Sequence, residues 1–219
     1  IVIHTVGLAN VDECEHNVVR ARHVNVELAE NVARAVRRAR VRLVHISTDH
    51  LFAGDRPLRT ETEPPHPLNT YARTKAMSEE RVLEANPDAL VVRTNFFGWG
   101  PKNRRSFSDW ILDNLRADRT ITLFEDVFFT PILIETLARN AHELLDQGNN
   151  GVINIVGDER ISKYEFGRRL AERFSLNTDL LRRGSVAGAK LIAPRPADMS
   201  LDNTLARERL GRRLGAIGD

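Results

Sequence analysis

The chain has 219 residues, with 32 Lys and Arg against 30 Asp and Glu and a formal net charge of +2. That length buries a substantial core, and the near-balance of charge argues against a nucleic-acid surface, since Arg34, Arg37, Arg38 and Arg40 lie along one helical stretch without interleaved stacking aromatics. Cys14 is the only cysteine and no apolar run approaches the ~20 residues that span a bilayer, so a cytoplasmic protein with neither disulfide nor membrane partner is expected.

Short β-branched runs alternate with amphipathic stretches, the pattern of an α/β fold with a parallel sheet covered by helices. In chain order the spacing predicts a strand over 1–6, a helix over 17–39, a strand over 42–47, a helix over 68–85 and a strand over 89–94. A helix over 107–115, a strand over 120–124, a helix over 132–147 and a strand over 152–156 follow. Asn86-Pro87-Asp88 stops the 68–85 helix, and Gly148 with Asn149-Asn150-Gly151 stops the 132–147 helix. Asp12, Glu13 and Glu15 precede the first helix and are expected to complement its positive end.

In such a sheet, ligands bind where the carboxyl ends of neighbouring strands open into loops. Thr48 follows the second predicted strand, Asn95-Phe96-Phe97 follows the third, and Tyr71 comes from the helix between them, so all three should face one crevice. Tyr71 and Lys75 are four residues apart and share a helix face, which brings an ammonium beneath a phenol and favours the phenolate. A phenol so tuned can protonate a carbonyl oxygen while Thr48 holds that oxygen, which points to ketone reduction or its reverse. His45 alternates with Val44 and Ile46 along a strand, while His16, His23 and His142 fall on different helix faces, so no metal site is expected. No G-x-G-x-x-G run is present; Gly98-Trp99-Gly100 follows the wrong strand, lacks the third glycine and reads as a loop turn.

The run HISTDHLFAGDRPLRTETEPPHPLNTYARTKAMSEE resembles the extended short-chain dehydrogenases/reductases, and within them the dTDP-4-dehydrorhamnose reductase branch. Arg195-Pro196-Ala197-Asp198-Met199-Ser200-Leu201-Asp202-Asn203 is similar to that branch's RPxxSxLDN ending, and VIHTVGLANVDECE to its xxNAAAxTxVDxxE segment. The resemblance implies a Rossmann-like doubly wound parallel sheet with a smaller C-terminal substrate-binding lobe. Ile1 matches the family's fourth strand, so the first three strands and the glycine-rich turn lie outside the sequence. A partial NAD(P)-binding domain is expected over 1–95 and 131–158 and the lobe over 96–130 and 159–219, with Thr130-Pro131 returning the chain to the main sheet. The chain as written is expected to bind nicotinamide poorly and to be inactive alone.

The same resemblance implies NADPH- or NADH-dependent reduction of a nucleotide-linked 4-keto-6-deoxy sugar. Tyr71 would donate the proton, Lys75 would lower its pKa and bond the nicotinamide ribose, and Thr48 would position the carbonyl. Ser47, Thr94 and Asn95 would join Tyr71 and Lys75 at the cofactor; His50, Phe96 and Arg195 would join Thr48 at the substrate, Arg195 either reaching the diphosphate or bracing the lobe. The chain departs from the family pattern at His50, which replaces Tyr, at Phe96, where Trp is frequent, and at His4-Thr5-Val6, which replace Asn-Ala-Ala. His50 reads either as a second proton relay or as a hydrogen-bonded loop histidine. Expected partners are a nucleotide-sugar and either a second copy of the chain or a partner enzyme. The alternative functions are an epimerase or dehydratase of the same superfamily, or a regulatory protein resembling the methionine adenosyltransferase β subunit.

Overall fold

A computed structural model describes residues 1–102, 105–189 and 191–218. The first half of the chain runs through β1 (Val2–His4), α1 (Val11–His16), α2 (Val18–Arg22), a π-helical turn over His23–Glu27, α3 (Leu28–Arg38), β2 (Leu43–Ile46), α4 (Thr70–Ala85) and β3 (Leu90–Arg93). It continues through β4 (Phe96–Phe97), α5 (Phe107–Arg116), β5 (Ile121–Phe124), β6 (Phe128–Phe129), β7 (Ile132–Leu133) and α6 (Ile134–Asp146). Then follow β8 (Gly151–Asn154), β9 (Ile161–Ser162), α7 (Lys163–Arg173), β10 (Leu181–Gly184) and α8 (Thr204–Leu210).

Strands β1, β2, β3 and β8 form the main sheet in that spatial order, each pair parallel, with Val44 opposite Leu90 and Val91 opposite Val152. Side chains alternate between its faces. Val44, Leu90, Val92 and Ile153 pack with α6 and α8, while Leu43 and Val91 pack with α3 and α4. Both faces are therefore dry, which is why the strands read as continuous β-branched runs. The strands are shorter than those runs, so Thr5, Ser47 and Thr94 fall just beyond the ends of β1, β2 and β3.

A second core joins α5, α7, β5, β6, β9 and β10 through Ile111, Leu123, Phe129 and Phe166, which forms the lobe. Ala206, Leu210 and Leu214 leave that core and pack beneath the main sheet, so the end of the segment read from sequence as lobe returns to the larger layer. The 195–203 segment is pressed against the loop after β2: a Cβ on Gly54, whose φ is +79°, would stand 2.7 Å from the Ala197 nitrogen.

The helix expected over 17–39 runs from α2 through the π-helical turn to α3, with Asn17 as its N-cap. Asn17 ends α1 through its backbone N–H to Glu13 O and restarts the chain as α2 by accepting from Arg20 N with its side chain at 3.0 Å. Asp12, Glu13 and Glu15 lie inside α1, the short helix just ahead of that long one. Asp12 and Glu13 stand in the first turn of α1, Glu13 pairs with Arg20 of α2, and Asp12 and Glu15 also reach Ala193 and Thr70.

Candidate active site

Helix α4 is held at its start by three separate parts of the chain. Asn69 caps it, its Oδ1 accepting from Ala72 N at 2.8 Å, while its Nδ2 donates to Pro194 O at 2.9 Å. Glu15 accepts from both Thr70 N (2.6 Å) and Thr70 Oγ1 (2.8 Å). Asn25, buried in the π-helical turn, accepts from Leu8 N at 2.7 Å and donates to Thr74 Oγ1 at 2.9 Å, so the loop after β1 is tied to the same helix. A π-turn makes that reach by displacing one residue from the α-helical ladder.

Tyr71, Lys75 and Glu79 succeed one another at intervals of four along this helix. Lys75 is buried and its Nζ donates to Ile46 O, at the end of β2, at 2.8 Å. Burial pulls its pKa down to about 8, with Glu79 opposing the shift. Glu79 accepts from Ser47 Oγ at 2.5 Å and from Arg93 at 2.8 Å (Nη2) and 3.1 Å (Nε). This carboxylate thus latches the ends of β2 and β3 onto the helix that carries Tyr71.

The loop leaving β2 supplies the opposite wall. Thr48 is buried, its Oγ1 accepting from His50 N at 3.3 Å and lying 3.4 Å from Asp49 Oδ1. Asp49 Oδ2 accepts from Asn95 Nδ2 at 2.5 Å, which joins the loops after β2 and β3. The His50 imidazole meets the Tyr71 ring edge-on, with centroids 5.5 Å apart. Its Nδ1 is buried with no hydrogen-bond partner among the described residues. Burial lowers the His50 pKa, Asp49 works against that, and Lys163 and Arg195 add to it, so the ring is neutral at neutral pH.

Two cavities flank the His50–Tyr71 contact. One, of about 270 Å³, is lined by Thr5, Gly7, Ser47, Tyr71, Lys75 and Phe96. The other, of about 280 Å³, is lined by His50, Phe107, Trp110, Lys163, Arg195 and Met199. Arg195 is anchored where it lines this second cavity, its Nη2 donating to Asp12 Oδ1 and its Nη1 to Ala193 O, each at 2.9 Å.

Of the residues singled out in the sequence, Ser47, Tyr71, Lys75 and Phe96 share the first cavity, His50 and Arg195 share the second, and Thr48 lies buried beside His50. Asn95 spends its amide on Asp49, and Thr94 Oγ1 is buried without a hydrogen-bond partner among the described residues. Sequence reasoning passed over Glu79, Asp49 and Lys163. Glu79 was accessible as the next step of the Tyr71–Lys75 spacing and Asp49 as the residue after Thr48; Lys163, distant in sequence, carried no local signal.

The comparisons with known proteins agree with this architecture. The chain is 30% identical over 214 residues to dTDP-4-dehydrorhamnose reductase of Mycobacterium tuberculosis, covering 94% of this chain and 68% of the relative. It is 28% identical over 212 residues to methionine adenosyltransferase 2 subunit beta of Bos taurus, covering 92% of this chain and 62% of that protein. A crystal structure of dTDP-4-dehydrorhamnose reductase from Bacillus anthracis in complex with NADP shares the fold, with a TM-score of 0.90 at 23% identity over 98% of this chain and 76% of the other. With the family model described as RmlD substrate binding domain matching residues 1–216, the chain belongs to that family.

Proposed function

We propose that this protein reduces the 4-keto group of a nucleotide-linked 6-deoxy sugar, with Tyr71 as proton donor and NADPH or NADH as reductant. The observation that carries this reading is the Tyr71–Lys75 pair on one helix face at a cavity, with Thr48 buried on the facing loop. Reduced nicotinamide supplies a hydride when bound. The residues of the first cavity fit its flat ring and ribose: Gly7 gives a close backbone approach, Phe96 and Ile134 give apolar surface, and Lys75 spends one N–H on Ile46 O and has others for a ribose hydroxyl.

Tyr71 passes its phenolic proton to the carbonyl oxygen as that carbon becomes an alcohol, and the positive charge of Lys75 stabilises the phenolate left behind. Thr48 holds the carbonyl oxygen, Asp49 and Asn95 fix the loop on which Thr48 rides, and neutral His50 packs on Tyr71 without adding charge. Arg195, aimed into the second cavity from its Asp12 anchor, suits the oxygens of a diphosphate. The similarity to the Mycobacterium tuberculosis reductase supports this assignment.

The test is NADPH oxidation by the full-length protein with dTDP-4-dehydro-6-deoxy sugars. Tyr71→Phe is expected to lower kcat by about 10²–10⁴-fold with substrate binding retained. The similarity to the bovine β subunit supports a second reading, a binding protein that serves a partner enzyme. Absence of turnover on every nucleotide ketosugar, together with tight capture of such an enzyme, would establish the second reading over the first.

A further inference from the structure

Lys163 opens α7 with its ammonium over the face of Phe129, 3.3 Å from the ring centroid, and 5.0 Å from that of Phe107. Its backbone N–H is used by Val127 O at 2.9 Å, which fixes the residue's place between β9 and α7. The ammonium itself has no hydrogen-bond acceptor among the described residues, although it is half-buried in the wall of the second cavity. A cation is also poorly placed at this end of an 11-residue helix, where the first-turn N–H groups already concentrate positive charge. Burial lowers its pKa to about 8, and the Asp49 carboxylate opposes that shift. Three N–H donors, aromatic walls and an unfavourable helix position make a group whose acceptor arrives with a ligand.

We infer that Lys163 is a specificity-determining residue that donates a hydrogen bond to the sugar oxygen next to the reacting carbonyl, the C3 hydroxyl of a 4-keto sugar. The inference rests on the function proposed above and adds the feature of the substrate that the site reads. Two placements select a sugar hydroxyl over a phosphate. Lys163 shares its cavity with His50, which meets the Tyr71 ring edge-on, and with Arg195, so a sugar spanning from Tyr71 to the diphosphate passes it. Its other neighbour is the Asp49 carboxylate, which repels a phosphate dianion but tolerates a neutral hydroxyl. Phe107 and Trp110, both exposed in the wall of this cavity, supply apolar surface for the carbon face of the ring.

Calorimetric titration of the full-length protein with dTDP and with dTDP-rhamnose separates the parts. Lys163→Met is expected to weaken dTDP-rhamnose at least about 10-fold and to change dTDP by less than about 2-fold, the retained dTDP binding also showing that the variant is folded. A 3-deoxy analogue should lose about as much on the wild type and nothing further on Lys163→Met. Equal weakening of dTDP and dTDP-rhamnose would assign Lys163 to the phosphates and overturn the inference, as would unchanged affinity for both. Should Lys163→Met fail to fold, Lys163→Gln takes its place with the same pair of ligands. A wild type that binds neither ligand overturns the nucleotide-sugar reading itself, and the role of Lys163 falls with it.

Discussion

Replacing Glu79 by Gln keeps the shape of the side chain and removes the charge that Arg93 pairs with. Both side chains are 5% exposed, and Arg93 donates to Glu79 through Nη2 and Nε with no second carboxylate in ion-pair contact among the described residues. Arg93 Nη1 is already buried without a hydrogen-bond partner among the described residues, so the guanidinium has no alternative acceptor to fall back on. Breaking a buried pair from one side leaves an uncompensated charge and costs about 3–5 kcal/mol. For a chain of this size that corresponds to a fall in Tm of roughly 6–20 °C. Calorimetry on Glu79→Gln, Arg93→Met and the double variant gives the coupling directly. The double variant should be less destabilised than the sum of the singles by about 2–3 kcal/mol, since it removes both charges together. Singles that each cost under about 1 kcal/mol, or that add within about 0.5 kcal/mol, would refute the claim that this carboxylate is a latch.

Asn69→Ala removes the α4 cap and the bond to Pro194 O, and should lower stability by about 1–2 kcal/mol, read as a lower urea midpoint at unchanged slope. Lys75 has a folded pKa of about 8 against an ordinary 10.5, so its charge opposes folding below pH 8 and that penalty fades as pH rises toward 10.5. The stability of Lys75→Met relative to wild type should therefore fall across pH 8 to 10.5, by on the order of 3 kcal/mol; a difference flat with pH would contradict the burial argument.

The main sheet was legible because its strands are buried on both faces and its helices carry apolar stripes, both of which are local patterns. The π-turn within the first long helix was not. An uninterrupted apolar period continues through Asn25, and only the tertiary partners of its amide, Leu8 and Thr74, mark the turn. The site divides along the same line. Tyr71 and Lys75 share a helix face that spacing alone predicts, whereas Asp49 and Asn95 meet across 46 positions, and Arg195 and Asp12 across 183.

Those long-range contacts are polar at positions where apolar side chains would pack at comparable stability, and a difference in what the two kinds of contact restrain accounts for this. An apolar interface lets a helix rotate or slide by a fraction of a turn at little cost, because dispersion is nondirectional. Hydrogen bonds do not. Glu15 at Thr70, Asn69 at Pro194, Asn25 at Thr74 and Glu79 at Ser47 and Arg93 grip α4 from four directions over its first three turns. In the proposed reaction the phenol of Tyr71 meets a carbonyl oxygen, and efficient proton transfer there tolerates only a few tenths of an ångström. A helix fixed in rotation and in register by directional bonds delivers that placement, and loss of any one grip should misplace Tyr71 as well as cost stability.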